Sequence, residues 1–212
     1  MTGRRLTDFE QVLLGTIARG PSTGYDLKQA FANTPIGVYQ PSSGALYPAL
    51  RRLEGRGLLR AEPAGPDGPA RSRRRYVYHI TEPGLAAHAA WVRQPVDPAT
   101  ISADLTLHLM RFVMMESVLP RAEVLAFLAD LRDALAAFLD GLEGYAASAQ
   151  PEDRHSPLAL DHGIATHSAS LAWVKRTINT LSREPAGPPE PVASCVSPPA
   201  PRARGRHERD HG

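Results

Sequence analysis

Arginines clustered in the first third of the chain are the residues best suited to bind a ligand. Arg71, Arg73, Arg74 and Arg75 place four guanidinium groups within five positions. Guanidinium groups bind phosphate through paired N–H donors, and the chain uses 22 Arg but only 2 Lys. The cluster therefore predicts contact with a polyanion, although a solvated basic loop has the same composition.

A second group of candidate phosphate donors surrounds a predicted helix over about 43–56. If this helix buries Leu46, Leu50 and Leu53, a step of about 100° per residue puts Gly44 and Arg51 on the opposite face. Backbone N–H groups at a helix N-terminus bind phosphate, and a glycine allows close approach. We expect Arg51 to reach a base edge and Arg52 a phosphate. The other expected contacts are Ser42, Ser43, Gly44 and Tyr47, with Tyr25 and Lys28 on the preceding helix.

Motifs for catalysis or metal binding are weak. His207–His211 spells H-E-x-x-H, but it lies in an Arg-rich tail without an apolar helix around it or a third ligand after it. No G-x-S-x-G elbow is present, and the glycines near the N-terminus lack the spacing of a phosphate loop. We predict a protein that is not an enzyme and has no cofactor and no metal site.

The elements that must position these side chains form two modules. Apolar spacing predicts a helix around Leu6–Ile17, a second from about Thr23, and the third over 43–56. Strands over 58–62 and 73–81 then form a hairpin with a basic tip, and Thr81 caps a further helix. Three helices followed by a hairpin are typical of a winged helix-turn-helix, whose third helix enters the major groove of DNA. Arginine at the hairpin tip suits a narrow minor groove.

Residues 99–184 are predicted to be entirely helical. One helix, from about 120 to 148, carries apolar residues from Val124 to Leu142 at spacings of 4-3-4-3-4, and the last helix repeats the pattern from Leu160 to Leu181. The two seams fit each other or a second copy of the chain. The predicted dimerisation residues are Leu128, Leu131, Leu135, Phe138, Leu142, Ile164, Leu171, Val174 and Ile178.

Composition and charge limit the class of protein. Hydrophobic residues make up 42% and charged residues 22%, as in ordinary soluble proteins. Residues 1–93 carry 13 basic and 7 acidic side chains, whereas residues 94–184 carry 7 and 12, which favours two modules with different partners. Cys195 is the one cysteine, so no intramolecular disulfide forms. No apolar run fits a signal peptide or a membrane span, and we expect a cytoplasmic protein without a membrane partner.

Three stretches of the first module resemble the PadR family of transcriptional regulators. The first comprises Leu13-Leu14-Gly15, Gly20-Pro21 and Gly24-Tyr25-Asp26-Leu27. The second begins at Tyr39, where the family often has Trp or Phe, and contains the specific motif Gly44-x-Leu46-Tyr47-Pro48-x-Leu50. The third is Tyr76-x-Tyr78-x-Ile80-Thr81-Glu82-x-Gly84. Together they span residues 13–84 in the order and spacing of the family.

The resemblance implies a mostly α-helical chain of α+β winged-helix type and a homodimeric repressor of an inverted-repeat operator in double-stranded DNA. Its expected parts are a DNA-binding domain over 1–93, an α-helical dimerisation domain over 99–184 and a disordered tail over 185–212. It also implies release by a small aromatic or cationic effector, for which Trp91 and Trp173 are stacking candidates, although such residues usually pack in the core. The alternatives are a protein-interaction module assembled through the C-terminal helices and a regulator of the MarR type, which needs more helix before the first module.

Overall fold

The computed structural model describes residues 4–33, 43–64, 75–149 and 153–184, with only the backbone of Asn33, Ser43 and Asp104. The chain is mostly helical and carries one small antiparallel sheet, as the sequence predicted. The helices are α1 Asp8–Ala18, α2 Gly24–Asn33, α3 Ser43–Gly55, α4 Glu82–Val92, α5 Ile101–Met115, α6 Arg121–Ser148 and α7 His155–Arg183, with a 3-10 turn at Pro98–Thr100. The strands are β1 Ser22–Thr23, β2 Leu59–Pro63 and β3 Tyr76–Ile80.

The sheet has the order β1-β3-β2. The predicted hairpin is present, with Leu59 opposite Ile80 and Ala61 opposite Tyr78. Strand β1 was not predicted, because two residues give no alternation of polar and apolar side chains. It pairs antiparallel with Val77 and Tyr78 and ties the loop before α2 to the hairpin. The predicted tail over 185–212 lies outside the described residues.

A tight joint connects the hairpin to α4. Gly57 adopts a φ of +71°, a region that favours glycine. The hydroxyl of Thr81 donates to the carbonyl of Gly57 at 2.7 Å and accepts from the backbone N–H of Gly84 at 3.1 Å. A Cβ on Gly84 would lie 2.1 Å from the carbonyl oxygen of Leu58. Only a glycine at position 84 therefore allows helix α4 to lie this close to the start of β2.

The two seams predicted on α6 and α7 face each other within one chain. The helices run antiparallel, because Arg121 at the start of α6 donates to the carbonyl of Glu184 beyond the end of α7. Leu128, Leu131, Leu135 and Val174 are fully buried in this seam. These four predicted dimerisation residues have no surface left for a second copy in this conformation.

Helix α5 joins the two parts of the chain, because it packs on α1, α4 and α6. Its buried Arg111 reaches the C-terminal end of α4, where the guanidinium donates to the carbonyls of Val92 and Gln94. The same group lies 5.0 Å from the centre of the Phe127 ring on α6. Burial lowers the pKa of Arg111 from its ordinary value. A buried cation thus bridges the last helix of the first module and the first long helix of the second.

His88 occupies the neighbouring junction between α1, α4 and α5. Its side chain is fully buried, and its ring fits against Gly15, where a Cβ would lie 2.6 Å from the His88 Cε1 atom. The backbones of Gln11 and Met114 lie beside its ring nitrogens. The pKa of His88 is lowered from 6.5 to about 4, and burial is the main cause. Hydrogen bonds with the backbones of Met114 and Gln11 raise the pKa in part, whereas the positive charge of Arg19 lowers it.

Acidification therefore destabilises the folded chain through His88. The unfolded chain takes up a proton near pH 6.5 and the folded chain only near pH 4, so stability is full above pH 6.5 and falls towards pH 4. The shift corresponds to about 3 kcal/mol. We expect the urea midpoint to fall over this range in the wild type, and less steeply in His88→Leu. His162→Gln, at an exposed site, serves as the control, and parallel pH profiles for wild type and His88→Leu would contradict the assignment.

Candidate nucleic-acid interface

A groove of about 600 Å³ opens between helix α3, the start of α2 and the sheet. Arg51 and Glu54 line it from α3, and Arg75 and Tyr76 line it from the hairpin. The remaining lining residues are Thr23, Gly24, Tyr25, Tyr47, Ala61 and Tyr78. The groove therefore combines two guanidinium groups with four phenol hydroxyls, which are groups that donate to phosphate oxygens.

The start of α2 is shaped to hold Tyr47 in this groove. A Cβ on Gly24 would lie 2.8 Å from Cε1 of Tyr47, so the ring rests on the glycine. Thr23 and Asp26 fix this helix end reciprocally, since the Thr23 N–H donates to the Asp26 carboxylate at 2.9 Å and the Asp26 N–H donates to the Thr23 hydroxyl at 3.2 Å. The exposed Tyr25 hydroxyl accepts from Gln29 at 2.7 Å.

Helix α3 exposes the face that the sequence predicted. Leu46, Leu50 and Leu53 are fully buried, while Gly44 and Arg51 are exposed. Pro48 lies inside α3, in its second turn. Because proline has no N–H, Pro48 cannot donate the helical hydrogen bond to the carbonyl of Gly44.

Arg52 is engaged within the chain. Its Nε donates to Oε1 of Glu10 at 2.7 Å, and Glu10 is only 3% exposed. Although burial raises the pKa of Glu10, hydrogen bonds from the Thr7 backbone and from Arg52 bring it below its ordinary value. Glu10 thereby stays ionised and ties α3 to α1. A phosphate contact by Arg52 would have to share the guanidinium with this carboxylate.

The remaining predicted contacts divide into three groups. Lys28 and Arg75 are exposed, and Arg75 lines the groove. Ser42, Arg71, Arg73 and Arg74 lie outside the described residues, and Ser43 is described by its backbone alone.

Two residues that line the groove, Tyr76 and Glu54, were not among the contacts predicted from the sequence. Strand alternation would have put Tyr76 on the same face as Tyr78, and a step of one helical turn from Arg51 would have led to Glu54.

The two tryptophans proposed for ligand stacking are packed in the protein. Trp91 is 4% exposed and lies 5.8 Å from the His88 ring centre. Trp173 meets Phe112 edge to face with centroids 5.6 Å apart. Their surroundings are those of core aromatic residues.

In the described part of the chain, no three His, Cys, Asp or Glu side chains come together to hold a metal. No helix in the same ranges is long and apolar enough to cross a membrane.

Family comparison matches both modules. Residues 13–90 match the Transcriptional regulator PadR-like family, which confirms the resemblance drawn from the motifs. Residues 109–182 match the Virulence activator alpha C-term family. The PadR-like proteins are transcriptional regulators and not enzymes, in agreement with the sequence prediction. No curated protein matches the sequence of the chain.

Solved structures with similar folds include three regulators. Bacillus subtilis PadR in complex with operator DNA is 17% identical, with a TM-score of 0.40 over 82% of this chain and 99% of that one. A PadR-like transcriptional regulator from Bacillus cereus is 23% identical, with a TM-score of 0.35 over 82% and 97%. The Vibrio cholerae virulence activator AphA is 19% identical, with a TM-score of 0.34 over 82% and 97%.

Proposed function

From the premise that this chain carries the DNA-binding domain of a PadR-like transcriptional regulator, we propose that it is a homodimeric repressor of an inverted-repeat operator. The observation that carries the DNA contact is the groove beside α3, in which Tyr47, Arg51 and Arg75 converge. We assign residues up to 93 to DNA binding and residues 99–184 to dimerisation. The proposal includes release of the DNA by a small aromatic or cationic effector. Such an effector must bind one of two conformations of the protein more tightly than the other.

Arg51 and Arg75 have different tasks in this proposal. Arg51 projects from the exposed face of α3, which would lie in the major groove, where guanidinium groups pair with guanine. Arg75 immediately precedes β3 at the edge of the groove, where the sugar-phosphate backbone would pass. The hydroxyls of Tyr25, Tyr47 and Tyr76 would donate to the same backbone.

The outer half of the α6–α7 hairpin supports dimerisation. Between Asp140 and Trp173 no described residue is buried, whereas α5 contacts Phe127 in the other half of the hairpin. Tyr145 and Leu158 are 64% and 66% exposed there. A second copy would cover this surface. The predicted dimerisation residues with side chains still partly accessible are Phe138, Leu142, Ile164, Leu171 and Ile178.

Binding to the DNA upstream of the gene for this protein, against scrambled DNA, tests the proposal. We expect fluorescence anisotropy to show tighter binding to the native duplex and a steep loss with salt, and sedimentation to show two chains per duplex. Arg75→Ala should weaken binding to both duplexes and lower the salt slope by about 1. Arg51→Ala should reduce the preference for native DNA by about tenfold.

Arg176→Ala is the matched control, since Arg176 is exposed on α7 away from the groove. It should leave affinity and preference unchanged. If Arg51→Ala kept the wild-type preference, base readout by Arg51 would be excluded. If the wild type bound neither duplex even at low salt, the protein-interaction alternative would replace the DNA proposal.

A further inference from the structure

Glu54 places a negative charge in the groove assigned above to DNA. It lies in the last turn of α3, three residues after Arg51, and its side chain is exposed. The other charged residues that line the groove are Arg51 and Arg75. The Glu54 carboxylate forms no ion pair and accepts no side-chain hydrogen bond from another residue in the described ranges.

The charge of Glu54 acts on the interior of the groove. Tyr78 is 8% exposed at its inner wall, and its phenol pKa is raised by burial first and by the Glu54 carboxylate next. A carboxylate in this position repels phosphate oxygens, which carry the same charge. It favours DNA binding only where it accepts a hydrogen bond from the DNA.

DNA offers hydrogen-bond donors in the major groove only at base edges. These donors are the amino groups of cytosine N4 and adenine N6, and adenine places an acceptor, N7, beside its amino group. A carboxylate has no proton to donate to that acceptor. Cytosine therefore satisfies Glu54 better than adenine does.

We propose that Glu54 reads the N4 amino group of a cytosine in each half-site of the operator. This inference rests on the proposed function, since it requires α3 to lie in the major groove. Glu54 discriminates by attraction to one base and by repulsion of DNA that leaves the carboxylate unpaired, which is how many interfaces gain specificity. Arg51 reads a different base pair one helical turn earlier along α3.

Selection of bound duplexes from a random-sequence library, followed by sequencing, tests this assignment. The proteins compared are the wild type, Glu54→Gln, Glu54→Ala, Arg51→Ala and the control Asp130→Asn, which changes an exposed carboxylate on α6 outside the groove and outside the proposed dimer surface. In the wild type we expect one strongly selected cytosine per half-site. Glu54→Ala should reduce its enrichment by about fivefold or more. Glu54→Gln should shift the preference towards adenine, because an amide pairs with both N6 and N7. Asp130→Asn should select the wild-type motif.

Three results would contradict the proposal, and they separate its causes. A wild-type protein that selects no motif contradicts both the proposed function and the role of Glu54. Unchanged motifs in Glu54→Gln and Glu54→Ala contradict the role of Glu54 alone. Loss of preference at the same base pair in the Glu54 variants and Arg51→Ala would assign Glu54 to the orientation of Arg51, and direct readout would be wrong.

Discussion

Gly84→Ala should lower the free energy of unfolding by about 3 kcal/mol or more, at the upper end of what overpacking costs. The added Cβ would lie 2.1 Å from the Leu58 carbonyl oxygen, which is a backbone atom that no rotamer change moves away. That carbonyl also accepts from the Thr81 N–H at 3.2 Å. Relief of the clash would therefore pull α4 off the sheet and disturb the capping hydrogen bonds of Thr81.

Thermal unfolding provides the measurement, with an expected loss of about 6–12 °C for a chain of this size. Gly141→Ala is the matched control, because a Cβ at position 141 meets no atom within 4 Å and the residue lies inside α6. It should raise stability by up to about 1 kcal/mol, since alanine favours the helix. Equal transition temperatures for the two variants would show that the close approach at Gly84 is absent in solution.

Arg111→Ala should be the second strongly destabilising change. The guanidinium donates to the carbonyls of Val92, Gln94 and Pro95, and these lose their partner at the C-terminal end of α4. Each buried polar group left unpaired costs about 1–3 kcal/mol, and the lost contact with Phe127 leaves a cavity. We expect a total of about 3–5 kcal/mol from these losses.

Urea unfolding of a small series resolves the origin of this effect. Arg111→Met restores most of the volume but none of the hydrogen bonds, so it should recover only the cavity part of the loss. Arg111→Lys keeps the charge but not the planar fork and should fall between the two. Arg176→Ala, at an exposed site, should stay within about 0.5 kcal/mol of the wild type. A similarly small effect of Arg111→Ala would contradict the bridging role of this residue.

Elements with a regular apolar period could be predicted from the sequence, because burial repeats along them. The seam on α6 is an example, since Leu128, Leu131 and Leu135 are buried as their spacing indicated. The same spacing could not decide between a fold within one chain and a dimer. Both choices bury the same stripe, and only the three-dimensional path of the chain distinguishes them.

Buried polar residues were the main feature that sequence reasoning missed, although each has a visible signal. Glu10 lies on the helical stripe of Leu6, Leu13 and Ile17, and it is buried there against Arg52. His88 likewise shares a stripe with Gly84 and Trp91. A polar residue on an apolar stripe indicates a buried partner, but the partner is remote in sequence. The pairing of Glu10 with Arg52 therefore could not be predicted from spacing.

The candidate site was predictable where it lies on one helix and not where it joins several elements. The exposed face of α3 followed from its apolar residues. The groove, by contrast, arises where β3 brings Arg75 and Tyr76 alongside α3. That contact depends on the hairpin register and on β1, for which two residues gave no signal.

The position of α5 between the two modules has a consequence for how such proteins diversify. Although α5 follows the first module in sequence, it packs on α1 and α4 as well as on α6. A gene fusion that ended the first module at residue 93 would discard the side chain that covers the end of α4. A recombination breakpoint after Met115 would keep Arg111 with its carbonyl partners and leave the contacts of α5 with α6 and α7 to be rebuilt. Exchange of C-terminal domains within this architecture is therefore least disruptive when α5 is inherited with the DNA-binding helices.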